Sequence, residues 1–157
     1  MRAPTVVIGG ALLFSACGGH RPVEIDPHEQ VAGYRWNATL ATPAQLTGAM
    51  NVRGRGWWAS EEGNPSRSRA QVDLANSVPG GDHPWHVHQG QCGSDGPIVG
   101  PATSYRSLEV KDDGKATATA DLPIAMPTSG QYYINVHASP NNMGTIIACG
   151  NLAPPSR

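Results

Sequence analysis

The chain has 157 residues, with 11 lysines and arginines against 12 aspartates and glutamates and a net charge of -1. Its arginines are scattered instead of being grouped with aromatic residues, which sets nucleic acid aside as a partner. Nineteen glycines and fourteen prolines favour strands joined by turns over long helices, and the length suits one all-β domain with a single core.

The first 17 residues read as a secretory signal. Arg2 precedes the apolar run Val6 to Phe14, and Ser15-Ala16-Cys17 supplies small residues ahead of a cysteine, the pattern of a bacterial lipoprotein signal with Cys17 as the lipidated residue. The run is far shorter than the ~20 residues that cross a bilayer, so any membrane contact is through the lipid alone. Residues 18–30 are polar, carry His20 and His28 without an assigned role, and read as a tether. The domain is expected over 31–153, with 154–157 as a tail.

Within the domain, Tyr34 to Leu40 alternates large and polar residues as a half-buried strand does, and Leu46 to Val52 continues the pattern. The Glu61-Glu62-Gly63-Asn64-Pro65 cluster is a turn, after which Arg67 to Leu74 alternates again, with Ala70, Val72 and Leu74 on one face. Trp57 and Trp58 are assigned to packing. Pro79-Gly80-Gly81-Asp82 turns the chain into a histidine-bearing strand. Tyr105 to Val110 and Ala116 to Leu122 flank Asp112-Asp113-Gly114-Lys115, a hairpin signal, and Tyr132 to His137 is a further strand. About eight strands are expected, with no internal repeat.

The chemistry concentrates in His83-Pro-Trp-His86-Val-His88 and Tyr132-Tyr-Ile-Asn-Val-His137. Alternate side chains share a strand face, so His86 and His88 project together, roughly 6.6 Å apart along the chain, while Val87 points into the core. His137 reaches the same place from a partner strand. Three neutral imidazoles on rigid strands suit copper first and zinc second. With Cys17 taken by lipid, Cys92 and Cys149 remain as an even pair for a disulfide in an oxidising compartment. The expected location is the bacterial cell envelope, as a lipoprotein, or the outside if Cys17 is not acylated.

The order and wording of His83-x-x-His86-Val-His88, Cys92, Asn135-Val136-His137, Gly144 and Ala148-Cys149-Gly150 resemble the Cu/Zn superoxide dismutases. Leu46-Thr-Gly and Pro79-Gly-Gly-Asp-His83 look like that family too, and the likeness runs from Leu40 to Leu152. It implies an eight-stranded Greek-key β-sandwich or barrel. It further implies copper at His86, His88 and His137, the family disulfide at Cys92 and Cys149, and a structural, framework role for His83. The stretch from His86 to Val99 also resembles bacterial envelope proteins and chordin-type (CHRD) domains.

The departures from that family are equally specific. No histidine lies between His88 and His137, so the bridging histidine and the zinc site are expected to be absent, and the loop from Gly93 to Ser104 is too short to rebuild them. Ile146 stands where the family carries an anion-guiding arginine, with Arg53 and Arg106 as conceivable substitutes.

Two function classes follow. The first is a copper oxidoreductase that takes superoxide as substrate, with His86, His88 and His137 as its catalytic residues. The second is a non-enzymatic module that exchanges copper with a donor or acceptor, with Met126 and Met143 available to Cu(I). Asp95 is a conceivable fourth ligand, though Gly-Ser-Asp-Gly reads first as a turn. No nucleophile elbow or phosphate-cradling loop supports a hydrolase.

Overall fold

The computed structural model describes residues 35–154, and they form an all-β domain of nine strands and two short 3-10 turns. The strands are β1 (Trp36–Ala41), β2 (Arg53–Glu61), β3 (Asn64–Ala75), β4 (Asp82–His83), β5 (Trp85–Gln89), β6 (Leu108–Glu109), β7 (Ala116–Leu122), β8 (Tyr132–Ser139) and β9 (Asn142–Leu152). Cys17, His20, His28, the 18–30 tether and all but the first residue of the 154–157 tail lie outside the described residues.

Seven strands make one antiparallel sheet in the order β5-β8-β9-β1-β2-β3-β7. The meander β1-β2-β3 has the last strand, β9, returned beside its first, which is a Greek-key arrangement. The sheet curls so that a small β4-β6 pair spans its two ends: β4 leads through Pro84 into β5, and Tyr105, just ahead of β6, bridges to Ala120 of β7. Proline has no amide proton to give a ladder. The expected histidine strand therefore divides at Pro84, with β4 pairing to β6 and β5 to β8. The Pro84 carbonyl still contributes, accepting the His137 amide at 2.8 Å.

Alternation explains the core. Ala70, Val72 and Leu74 of β3 are buried with Ala116, Ala118, Ala120 and Leu122 of β7, while the intervening residues face solvent. Trp36 and Trp58 meet edge to face at 6.4 Å, and the Trp58 indole donates to Ser68 Oγ at 2.9 Å. Trp57 points outward, beneath the Arg35 guanidinium.

Leu46 to Val52 is not a strand: Ala44–Leu46 is a 3-10 turn behind Pro43, and the Thr47 hydroxyl caps it by donating to the Ala44 carbonyl. Only Val52 rejoins the ladder, through Thr42. The expected strand from Tyr105 to Val110 shrinks to β6, because the preceding Ala102–Ser104 turn leaves Tyr105 with a single bridge.

Candidate metal centre

Residues on β5 alternate between two faces. Trp85 and Val87 are fully buried in the core, while His86 and His88 project together from the opposite side. On the neighbouring strand β8, Tyr133, Asn135 and His137 share that same side by alternation. The register places His86 opposite Asn135 and His88 opposite Tyr133. The β8-β9 register slips between Val136 and His137, with Ile147 of β9 left unpaired, an irregularity of the kind that recurs beside functional sites.

One ring nitrogen from each of His86, His88 and His137 lies within 4.8 Å of the other two, and all three residues are buried. The polypeptide also fixes which nitrogen His88 and His137 offer. A carbonyl oxygen only accepts, so His88 Nδ1, 2.8 Å from the Gly96 carbonyl, and His137 Nδ1, 2.6 Å from the Met143 carbonyl, both carry protons. Their Nε2 atoms are left as lone pairs. His86 turns Nδ1 inward, 3.3 Å from His137 Nε2. Backbone carbonyls holding the outer nitrogen of a histidine are the usual support of a metal ligand.

Burial, with repulsion from His137 and His88, lowers the His86 pKa to about 4. Burial lowers that of His137 as well, against the opposing pull of the Met143 carbonyl. Both imidazoles are therefore neutral at pH 7, the form that ligates. His88 Nε2 is buried with no hydrogen-bond partner. A lone pair left unsatisfied among two other imidazoles fits a metal ion, because burying a polar atom without a partner otherwise costs stability.

The cluster opens to a cleft of about 920 Å³. Its walls come from the Ala41–Leu46 corner, the loop at Cys92–Gly96 and the hairpin at Met143–Ile146, and its floor carries His88, His137, Tyr133 and Asn135. Among the described residues no lysine or arginine lines it, and Asp95 is its one acidic side chain. Ile146 is in the wall, as is Met143, which is partly exposed, whereas Met126 packs against the core. Arg53 is exposed on β2, and Arg106 offers its backbone carbonyl to the Trp85 indole; neither lines the cleft.

Cys92 and Cys149 form a disulfide that ties the loop after β5 to β9, and a disulfide points to an oxidising, extracytoplasmic setting. Among the described residues no helix is long and apolar enough to cross a membrane. His83 stands apart from the cluster. Its Nδ1 donates to the Ala138 carbonyl and its Nε2 accepts from Ser77 Oγ, both at 2.9 Å, so both nitrogens are occupied.

Tyr133, Tyr105 and Asn135 were not singled out from sequence, although all three border the histidines. Tyr133 stacks on His88, Tyr105 meets His86 edge-on at 5.1 Å, and Asn135 keeps a buried, unpartnered Oδ1. Strand alternation back from His137 was the available signal for Tyr133 and Asn135. The chain matches no protein-family model and no curated protein.

Proposed function

We propose that this chain is a copper-binding, superoxide dismutase-like protein of the bacterial cell envelope. The observation that carries the reading is the donor set: His86 Nδ1, His88 Nε2 and His137 Nε2 converge, with the outer nitrogens of His88 and His137 held by backbone carbonyls. Imidazole donors suit copper ahead of the hard cations, and three of them leave a position toward the cleft. Copper held there would supply one-electron chemistry, by which two superoxide ions and two protons become dioxygen and hydrogen peroxide.

The chain itself supplies placement and access. His86, His88 and His137 hold the ion at the foot of the cleft, and the disulfide braces the loop that carries the Gly96 carbonyl. Asp95 is exposed in the loop that follows the Cys92–Gly93 turn, and the protons come from solvent. Among the described residues, His86, His88 and His137 form the one cluster suited to a metal.

One observation favours the second reading, a copper-buffering or copper-transfer module. The cleft is open and has no cationic residue in its lining among the described residues, so they supply none of the electrostatic focusing that draws an anion inward.

Copper content and superoxide consumption of the purified protein, beside His86→Ala and His137→Ala variants, test both readings. Turnover above that of free copper, lost with either histidine, supports the dismutase. One equivalent of copper with no such turnover supports the module. No copper bound at all overturns both.

A further inference from the structure

Of the three imidazoles, His88 is the one held twice over, and one side chain does both. Tyr133 lies opposite it in the β5-β8 register, is fully buried, and stacks its ring on the imidazole with centroids 5.1 Å apart and planes 19° from parallel. The Tyr133 hydroxyl then donates to the Ser94 carbonyl and accepts the Gly96 amide at 3.2 Å. The Gly96 carbonyl in turn is the acceptor for His88 Nδ1. The circuit is closed: ring face, hydroxyl, loop backbone, imidazole.

The loop has little freedom to substitute for this clasp. A Cβ on Gly96 would collide with the Gln89 backbone, so the loop already lies against β5 as closely as a chain can. His86 has no equivalent, since its aromatic neighbour Tyr105 directs its hydroxyl to the Val99 carbonyl, which holds no imidazole. His137 is held at its outer nitrogen by the Met143 carbonyl and faces His86 at its inner one.

We propose that Tyr133 is a positioning residue of the metal centre, fixing through its ring and its hydroxyl both the tautomer of His88 and the direction of the His88 Nε2 lone pair. The proposal rests on the three-histidine reading above and adds what keeps one ligand aimed. A purely space-filling residue at this position would need the ring alone. The hydroxyl is what joins it to the loop.

The test is Tyr133→Phe, which keeps the ring and removes the hydroxyl. Two measurements are made on it and on the unaltered protein. The first is the nitrogen NMR signature of His88 in metal-free protein at pH 8; the second is Cu(II) affinity by competition, with the electron paramagnetic resonance spectrum of the loaded protein. The unaltered protein is expected to show His88 as a single Nδ1-protonated tautomer. Tyr133→Phe is expected to show a mixture, to bind Cu(II) about tenfold to a hundredfold more weakly, the usual loss when support behind a ligand is removed, and to shift the copper spectrum. An unchanged tautomer, or unchanged affinity and spectrum, overturns the proposal. If the unaltered protein binds no copper, the metal reading fails, and the metal-free tautomer measurement still decides the role of Tyr133.

Discussion

His86 Nδ1 lies 3.3 Å from His137 Nε2 across 51 residues of chain, and the two nitrogens cannot both present lone pairs at that distance without a proton or an ion between them. His137 Nδ1 already carries its proton toward Met143, so in metal-free protein the shared proton belongs to His86 Nδ1. Binding a metal at this nitrogen moves the proton to His86 Nε2. Titration with diamagnetic Zn(II), followed by nitrogen NMR, should show His86 passing from the Nδ1-protonated to the Nε2-protonated tautomer. A His86 signal indifferent to the metal would remove it from the ligand set.

The same burial makes the metal-free protein sensitive to acid. An unfolded histidine titrates near 6.5, whereas folded His86 titrates at about 4. Between those values the unfolded chain binds more protons than the folded one, so stability rises with pH there and is lost as pH falls from 6.5 toward 4. His137 shifts in the same direction and steepens the loss. Urea midpoints measured at intervals from pH 7 to pH 5 should fall steadily, and His86→Gln should flatten the slope. Equal slopes in the two proteins would disprove the assignment.

Alternation made β3 legible in the sequence, the Asp112–Lys115 hairpin signal marked β7, and the β-branched and aromatic run marked β8; a period of two likewise gave the shared face of His86 and His88 and the inward turn of Val87. Strand β2 was hidden for a physical reason. Its Arg53-Gly-Arg-Gly-Trp57 start has glycines at inward positions, because Leu40, Leu74 and Ile134 from other strands already fill the space a side chain would need. Without apolar residues at those positions the period of two disappears. The supports of the histidines were hidden as well. Gly96 and Met143 act through backbone carbonyls, and only the path of a folded loop or hairpin decides which carbonyl faces a ring.

The disulfide should contribute to stability beyond its local bracing. It closes a sequence separation of 57 residues, for which the chain-entropy relation gives about 4 kcal/mol. A Cys92→Ser/Cys149→Ser double variant should unfold at markedly lower urea, by about 2 to 5 kcal/mol. It should also bind copper more weakly, because the freed segment includes the Gly96 acceptor of His88. Stability lost with copper affinity unchanged would separate the staple from the site.

Asn135 offers a test of what a buried orphan costs. Its Oδ1 has no partner, yet the residue sits between His86 and Cys149 in the register. Leaving such an atom unsatisfied costs about 1 to 3 kcal/mol. Asn135→Val, which suits a strand and removes the polar atom, should raise the stability of metal-free protein by about 1 kcal/mol. Chemical denaturation decides it, and a destabilised variant would show that the amide makes a favourable interaction in solution.

Among the described residues the cleft lining contains no cation, and Ile146 occupies its wall. A positive charge there would restore what the dismutase reading lacks. Focusing by a cleft raises encounter with an anion by about 10-fold to 10³-fold and weakens with ionic strength. Ile146→Arg in copper-loaded protein is therefore expected to consume superoxide at least about tenfold faster than the unaltered protein at low salt. The advantage should shrink as salt shortens the screening length to about 8 Å near physiological ionic strength. Because the substitution lies in the wall and leaves His86, His88 and His137 in place, copper content should not change. A faster, salt-sensitive rate would show that the metal centre is competent and limited by capture. A rate no better than before, with copper fully loaded, would place the limit at the metal itself and favour the copper-handling module.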